Sequence, residues 1–380
     1  MKGAFIFSLL LYFNIMSLYA HREKTYYLFG KIGETEVAIQ LDEYGTDCTA
    51  RYITKKDKYD SILEGEILEN GQFNLYSKHW DKDKKTTIID DSVYLIEKEK
   101  NIWSGTWKYK DGKEVNFVLT PILIEALNHP YTSAIKKHVI TPFNAYRTQD
   151  VYFTDIKKEK ISKGIYIKHT IDPISKISFF RVLNNPKKNI IADTINDKLV
   201  AIHLNMINEK YSCVYAVSKG NYTSNFEVHF LNPQLISFSI NTHQACYGDQ
   251  GEDSTEHETF KMIDAKKIIL EDLYWFGNKP QPELQKGEYE WFQYRYKEFG
   301  PKILALLTEL YPEKITPQKP IECNYNDVKL WEFPEWYFTP KGLYLKYQSQ
   351  TNKKCDDSTW SVIPYEKLNG FTTMEFGLIK

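Results

Sequence analysis

Between Tyr26 and Leu119, apolar and polar residues alternate in short runs broken by turn residues about every ten positions, which predicts an antiparallel meander. The runs place strands at Tyr26–Ile32, Thr35–Leu41, Thr49–Thr54, Ser61–Leu68, Gln72–Ser77, Thr86–Ile89, Ser92–Glu97, Ile102–Tyr109 and Glu114–Thr120. Asn70-Gly71 and Asp111-Gly112 tolerate the positive φ that a two-residue hairpin needs. Each lies between a strand carrying glycine and one carrying phenylalanine, an echo that reads as hairpin grammar. Roughly seven to nine such strands close into a barrel or fold into a sandwich, since either removes exposed sheet edges.

From Pro121 to about Arg147 the alternation stops, and Ile122, Leu123, Ile124, Ala126 and Leu127 predict a short connecting helix. Strand-like runs resume at Gly164–Thr170, Ile177–Val182, Tyr211–Val217, Asn225–Leu231, Leu235–Thr242, Glu258–Ile263, Lys267–Leu270, Glu335–Tyr337 and Gly342–Tyr347. Two helices interrupt them. Ile191, Ile195, Leu199, Ile202 and Met206 recur at helical spacing behind a cap at Asp193. Glu288 to Tyr311 reads as a long helix kinked at Gly300-Pro301. The expected fold class is α+β: an N-terminal antiparallel β-meander, barrel or sandwich, then an α+β domain with an antiparallel sheet and two main helices. The expected divisions are a leader over 1–20, the β-meander over 21–125, a linker over 126–150 and the α+β domain over 151–380.

The first twenty residues have the order of a secretory signal: Lys2, an apolar stretch from Ala4 to Met16, and Ala20 as the small residue before a cut near His21. That stretch is shorter than the roughly 20 residues that cross a bilayer, and no later segment is long and apolar enough to be a span. A periplasmic or secreted protein without a transmembrane segment is therefore expected. The 49 basic and 50 acidic residues are interspersed, which leaves no electrostatic footprint for nucleic acid. An oxidising compartment permits disulfides. Of the five cysteines, Cys213 with Cys246 and Cys323 with Cys355 flank β-rich stretches and form the expected pairs, leaving Cys48 free.

Chemical signatures are sparse. No G-x-S-x-G elbow, glycine-rich phosphate loop, C-x-x-C or H-x-x-x-H spacing occurs, so no catalytic residue, cofactor or metal is predicted. The densest polar run, His243 to Glu258, reads as a solvated loop between strands, and such loops carry recognition. The aromatic group Trp331, Phe333, Trp336, Tyr337 and Phe338 has the chemistry to stack on sugar rings or anchor a protein, with at least half expected in the core. The candidate binding residues are Tyr247, Asp249, Glu252, Asp253, His257, Trp331 and Trp336.

The order of motifs from about Ile177 to Leu368 resembles the extracytoplasmic domain of unknown function 3298, found in RsiV-like anti-sigma factors and beside the catalytic domain of some peptidoglycan deacetylases. The residues carrying it are the helix Ile195 to Asn208, Leu235-Ile236-Ser237-Phe238-Ser239 followed by Tyr247-Gly248, and Glu258-Thr259-Phe260 leading to Ile268–Leu273. They end with Trp336–Leu343 and Val362–Leu368. The chain departs from the pattern after Tyr247, where Gly248-Asp249-Gln250-Gly251 replaces a Gly-Gly-Ala-His-like stretch. The resemblance implies a binding domain rather than a catalyst, with a lysozyme-like or other cell-wall-related partner. The alternative class is a cell-envelope hydrolase acting on glycan or peptidoglycan through carboxylates at the domain junction.

Overall fold

The computed structural model describes residues 24–81, 86–215, 218–246, 251–278, 280–281, 286–316, 324–347 and 359–373. The leader at 1–20, Tyr247, Asp249, Cys323 and Cys355 lie outside the described residues. Two compact units divide the chain. Unit 1 takes Met1–Tyr152, Ala201–Thr223 and Gln244–Glu252, and unit 2 takes Phe153–Val200, Ser224–His243 and Asp253–Lys380.

Unit 1 contains a closed eight-stranded barrel in meander order. Its strands are β1 (Lys24–Ile32), β2 (Thr35–Tyr44), β3 (Asp47–Thr54), β4 (Ser61–Ile67), β5 (Phe73–Asp81), β6 (Thr86–Glu99), β7 (Ile102–Lys108) and β8 (Glu114–Pro121). Leu28 to Lys31 pair antiparallel with Pro121 to Val118 and close the ring. The runs read separately as Thr86–Ile89 and Ser92–Glu97 form one strand, β6, whose pairing with β5 shifts register between Tyr76 and Lys78. One face of each strand fills the interior, among them Leu41, Leu63, Leu95, Trp103, Trp107 and Leu119, all at most 3% exposed. The two glycine turns enclose three residues rather than two. Leu68 and Tyr109 donate to the carbonyls of Gln72 and Lys113, and Gly71 and Gly112 take φ of 79° and 85°.

Helices α1 (Thr132–Lys137) and α2 (Pro142–Arg147) follow. Thr141 caps α2 by accepting from Asn144 N, and Pro142 occupies the first turn, where a missing N–H does no harm. Phe143 and Tyr146 on α2 pack on Ala38, Ile53 and Ile122 of the barrel wall. Arg147, 1% exposed, forms an ion pair with buried Asp60 and donates to the Asn208 carbonyl and the Ser212 hydroxyl. Asn208 and Ser212 belong to α3 (Asp193–Ser212). The disulfide Cys213–Cys246 forms as expected, and Cys48 is a free, buried thiol.

Helix α3 departs from its sequence reading in two ways. Ile191 lies before the helix and is 74% exposed, and Tyr211 ends the helix rather than starting a strand. The stripe is also broader than the periodicity implied, because His203, Leu204 and Ile207 are as deeply buried as Ile195 and Leu199. Unit 2 holds three three-stranded sheets. The first joins β9 (Thr154–Ser162), β10 (Ile165–Ile171) and β11 (Ser178–Val182). The second joins β12 (Asn221–Leu231), β13 (Leu235–Ala245) and β14 (Glu252–Lys261). The third joins β15 (Glu335–Thr339), β16 (Gly342–Lys346) and β17 (Val362–Pro364). Strand β9 escaped the sequence reading because seven of its first eight positions are exposed, so no apolar alternation marks it.

The long helix is interrupted earlier than its proline implies. Residues Tyr289–Tyr294 form α4, Arg295–Phe299 a π-turn, and Gly300–Leu310 α5. The Gly300 N–H reaches back five residues to the Arg295 carbonyl. Pro301 then stands at the start of α5.

Candidate functional site

The run from His243 to Glu258 is not the solvated loop that its composition predicts. Strands β13 and β14 extend into it from both sides and leave only Cys246–Gly251 between them. Polar cross-strand pairs take the place of apolar ones: Thr255 Oγ1 donates to Asn241 Oδ1 at 2.8 Å, and His243 Nδ1 lies 2.8 Å from Asp253 Oδ1. Glu252 and Asp253 are exposed at the start of β14, whereas His257, four residues on, turns into a cleft. Trp331 lies in the core, 0% exposed, with its indole donating to the Tyr325 carbonyl at 2.9 Å. Of the candidate binding residues, the structure thus brings His257 and Trp336 together.

That cleft, about 320 Å³, lies wholly within unit 2. Thr255 and His257 of β14 form one wall and Glu335 and Trp336 of β15 another. Trp291 of α4 and Arg295 of the π-turn close it, with Phe333 and Lys286 at its margin. The sheets are stitched beneath it by Ser237 of β13, whose hydroxyl lies 2.7 Å from Thr259 Oγ1 and accepts from Phe338 N.

Arg295 and Glu271 are the residues that sequence reasoning missed. Arg295 Nη2 lies 2.6 Å from Glu271 Oε1, with both side chains at most 6% exposed. The Trp291 indole donates to the same oxygen at 3.2 Å. The guanidinium stacks 3.9 Å from the Phe299 ring centroid and 5.0 Å from that of Trp291. The π-turn sets this up, since it places Arg295 and Phe299 around one cation. Burial lowers the Arg295 pKa, and Glu271 opposes the shift. No spacing in the sequence announces a partner 24 positions away (295 − 271).

Tyr337 is sandwiched beside the cleft between two histidines, stacked on His229 at 3.9 Å between centroids and 4.8 Å from His257. His229 Nε2 lies 2.9 Å from Ser239 Oγ. Burial, then the neighbouring His257, depresses the His229 pKa to about 4. Burial, then Tyr344 and Glu227, pushes the Tyr337 phenol up to about 12. His257 has a side chain 9% exposed, and its Nε2 lies 3.3 Å from Glu335 Oε2 without hydrogen-bond geometry. Both of its ring nitrogens and the Nε of Arg295 are buried polar atoms with no hydrogen-bond partner. Leaving such a group unsatisfied costs roughly 1–3 kcal/mol, so several on one cleft need a reason.

Glu335 is the one acidic residue lining the cleft among the described residues, and His257 and Lys346 both approach it. Among the described residues no group of three or more metal-ligating side chains converges, and no helix is long and apolar enough to cross a membrane. Among the described residues, unit 1 holds a groove of about 590 Å³ across the barrel strands around Gly105, a cavity of about 520 Å³ beside the Cys213–Cys246 disulfide and a smaller one of about 210 Å³ beside Tyr146 and Asp150.

No family model matches the chain, and no curated protein does. Solved structures do match. One is the crystal structure of a DUF3298 family protein from Pseudomonas aeruginosa, 12% identical, covering 59% of this chain and 95% of that one with a TM-score of 0.27.

Proposed function

We propose that the protein is a non-catalytic extracytoplasmic binding protein, and that the cleft of unit 2 is where it holds its partner, which is lysozyme-like or otherwise cell-wall-related. The observation that carries this reading is that two residues lining the cleft, His257 and Arg295, hold buried nitrogens without hydrogen-bond partners. A bound molecule that hydrogen-bonds to them would offset their desolvation cost on binding. The walls favour binding over turnover. Glycoside cleavage uses two carboxyl groups about 5–9.5 Å apart, one of them free to carry a proton. Here Glu335 is the sole acidic lining residue among those described, and Glu271 is sealed behind Arg295 and Trp291. Export is supported by the leader-like first twenty residues and by a disulfide, which persists in oxidising compartments.

The purified protein should melt at a temperature that rises with the concentration of lysozyme or of solubilised wall glycan, as mass action requires, while no new reducing ends appear. Reducing ends that accumulate over many turnovers would establish a hydrolase instead.

A further inference from the structure

We propose that the ligand of the unit 2 cleft is an acidic sugar, a pyranose ring carrying a carboxylate. This deepens the binding reading of the same cleft and rests on it.

The charges set the sign of the ligand. Arg295 is neutralised from behind by Glu271, and His257 sits against Glu335. Among the described residues that line the cleft, Lys286, exposed at the rim, is the cation left without a carboxylate partner. Beside it are the buried, unpartnered ring nitrogens of His257 and the Nε–H of Arg295. A carboxylate satisfies this set, because one oxygen can accept from a buried N–H while the charge faces the ammonium, and charge-assisted hydrogen bonds are the stronger kind. The shape and the remaining polar groups set the body of the ligand. Trp336 and Phe333 offer half-buried aromatic surface on which one apolar face of a sugar ring packs. Thr255, whose hydroxyl proton is spent on Asn241, presents an acceptor. That acceptor calls for a ligand hydroxyl, which a flat aromatic acid lacks. A volume of about 320 Å³ lies at the small end of ligand pockets and suits one ring rather than an extended chain.

The test titrates the full chain, followed by tryptophan fluorescence and calorimetry, with methyl glucuronide, methyl glucoside and benzoate. The glucuronide should bind saturably and at least about tenfold more tightly than either control. His257→Ala and Trp336→Ala should each weaken it about tenfold or more. Lys286→Gln changes an exposed residue and should leave folding intact. It should weaken the glucuronide several-fold and abolish its advantage over the glucoside. Equal binding of glucuronide and glucoside, or a Lys286→Gln variant that discriminates as well as the parent, overturns the proposal. So does benzoate binding as tightly as the glucuronide. A protein that is stabilised by lysozyme or wall glycan but ignores the glucuronide would sink the acidic sugar while leaving the binding reading intact.

Discussion

Two buried residues that the sequence gives no reason to single out control how each unit responds to its surroundings. In unit 1, Arg147 neutralises Asp60 with both side chains at most 2% exposed, and Arg51 is more distant, 3.7 Å from the other carboxylate oxygen. Removing one member of such a pair leaves a buried charge. Arg147→Met should therefore cost about 3 kcal/mol or more, whereas the double change Asp60→Leu with Arg147→Met should recover much of that loss. Urea midpoints of the three variants check this, and a double variant no better than the single one would show that the pair's charges are not the issue. In unit 2, His229 stays neutral in the fold down to about pH 4, while an unfolded histidine takes up its proton near 6.5. Between those values the unfolded chain binds more protons, so stability declines as pH falls through the window. His129, also depressed to about 4 by burial, adds to the same slope from unit 1. His229→Gln should make the slope shallower over that interval and leave stability above pH 7 without a pH trend from this site. An unchanged slope in urea unfolding at the two ends of the window would remove His229 from the account. None of this was legible beforehand. Burial and long-range partners decide these residues, and a single sequence carries neither.

At the scale of elements, the barrel was legible because its strands keep one face dry, and that is what a period of two records. The errors fell where chemistry substitutes for apolar alternation. Strand β9 is almost wholly exposed, and β14 is held at its outer end by hydrogen bonds between polar side chains. The interruption expected at Gly300-Pro301 begins about a turn earlier, at the π-turn Arg295–Phe299, and that turn carries Arg295, which lines the cleft. The glycines of the barrel separate two kinds of constraint. A side chain at Gly105 would overlap the Tyr94 carbonyl oxygen and approach the Phe117 ring to 2.7 Å, both on neighbouring strands. Gly112 instead faces open space but sits at φ 85°. Gly105→Ala should thus cost about 3 kcal/mol or more, because backbone must move. Gly112→Ala should cost about 1–2 kcal/mol, the penalty of a left-handed residue. Chemical denaturation ranks them, and the reverse order would mean that turn geometry, not strand coiling, limits the barrel.

At the scale of the molecule, one covalent link within unit 1 closes a ring of chain that runs through both units. The ring closed by Cys213 and Cys246 leaves unit 1 after Thr223, passes through Ser224–His243 of unit 2 and re-enters unit 1 at Gln244. The cysteine spacing exposed this pair, since the flanking runs read as strands and two pairs with one thiol left over is the simplest count for five cysteines. Its energetic effect follows from the separation of 33 residues. Closing a loop of that size in the unfolded chain removes entropy equivalent to roughly 3–4 kcal/mol at room temperature. Cys213→Ser with Cys246→Ser should lose about that much, and the urea midpoint should drop while the far-ultraviolet spectrum stays native. Cys48 cannot substitute for either partner. It is 1% exposed inside the barrel, and burial, reinforced by Asp47, pushes its thiol up to about 12, so the reactive thiolate is scarce at neutral pH. Peptide mapping under non-reducing conditions should recover the 213–246 crosslink and an unmodified Cys48. If the serine double variant unfolds at the same midpoint as the parent, the link adds nothing to the stability of the fold.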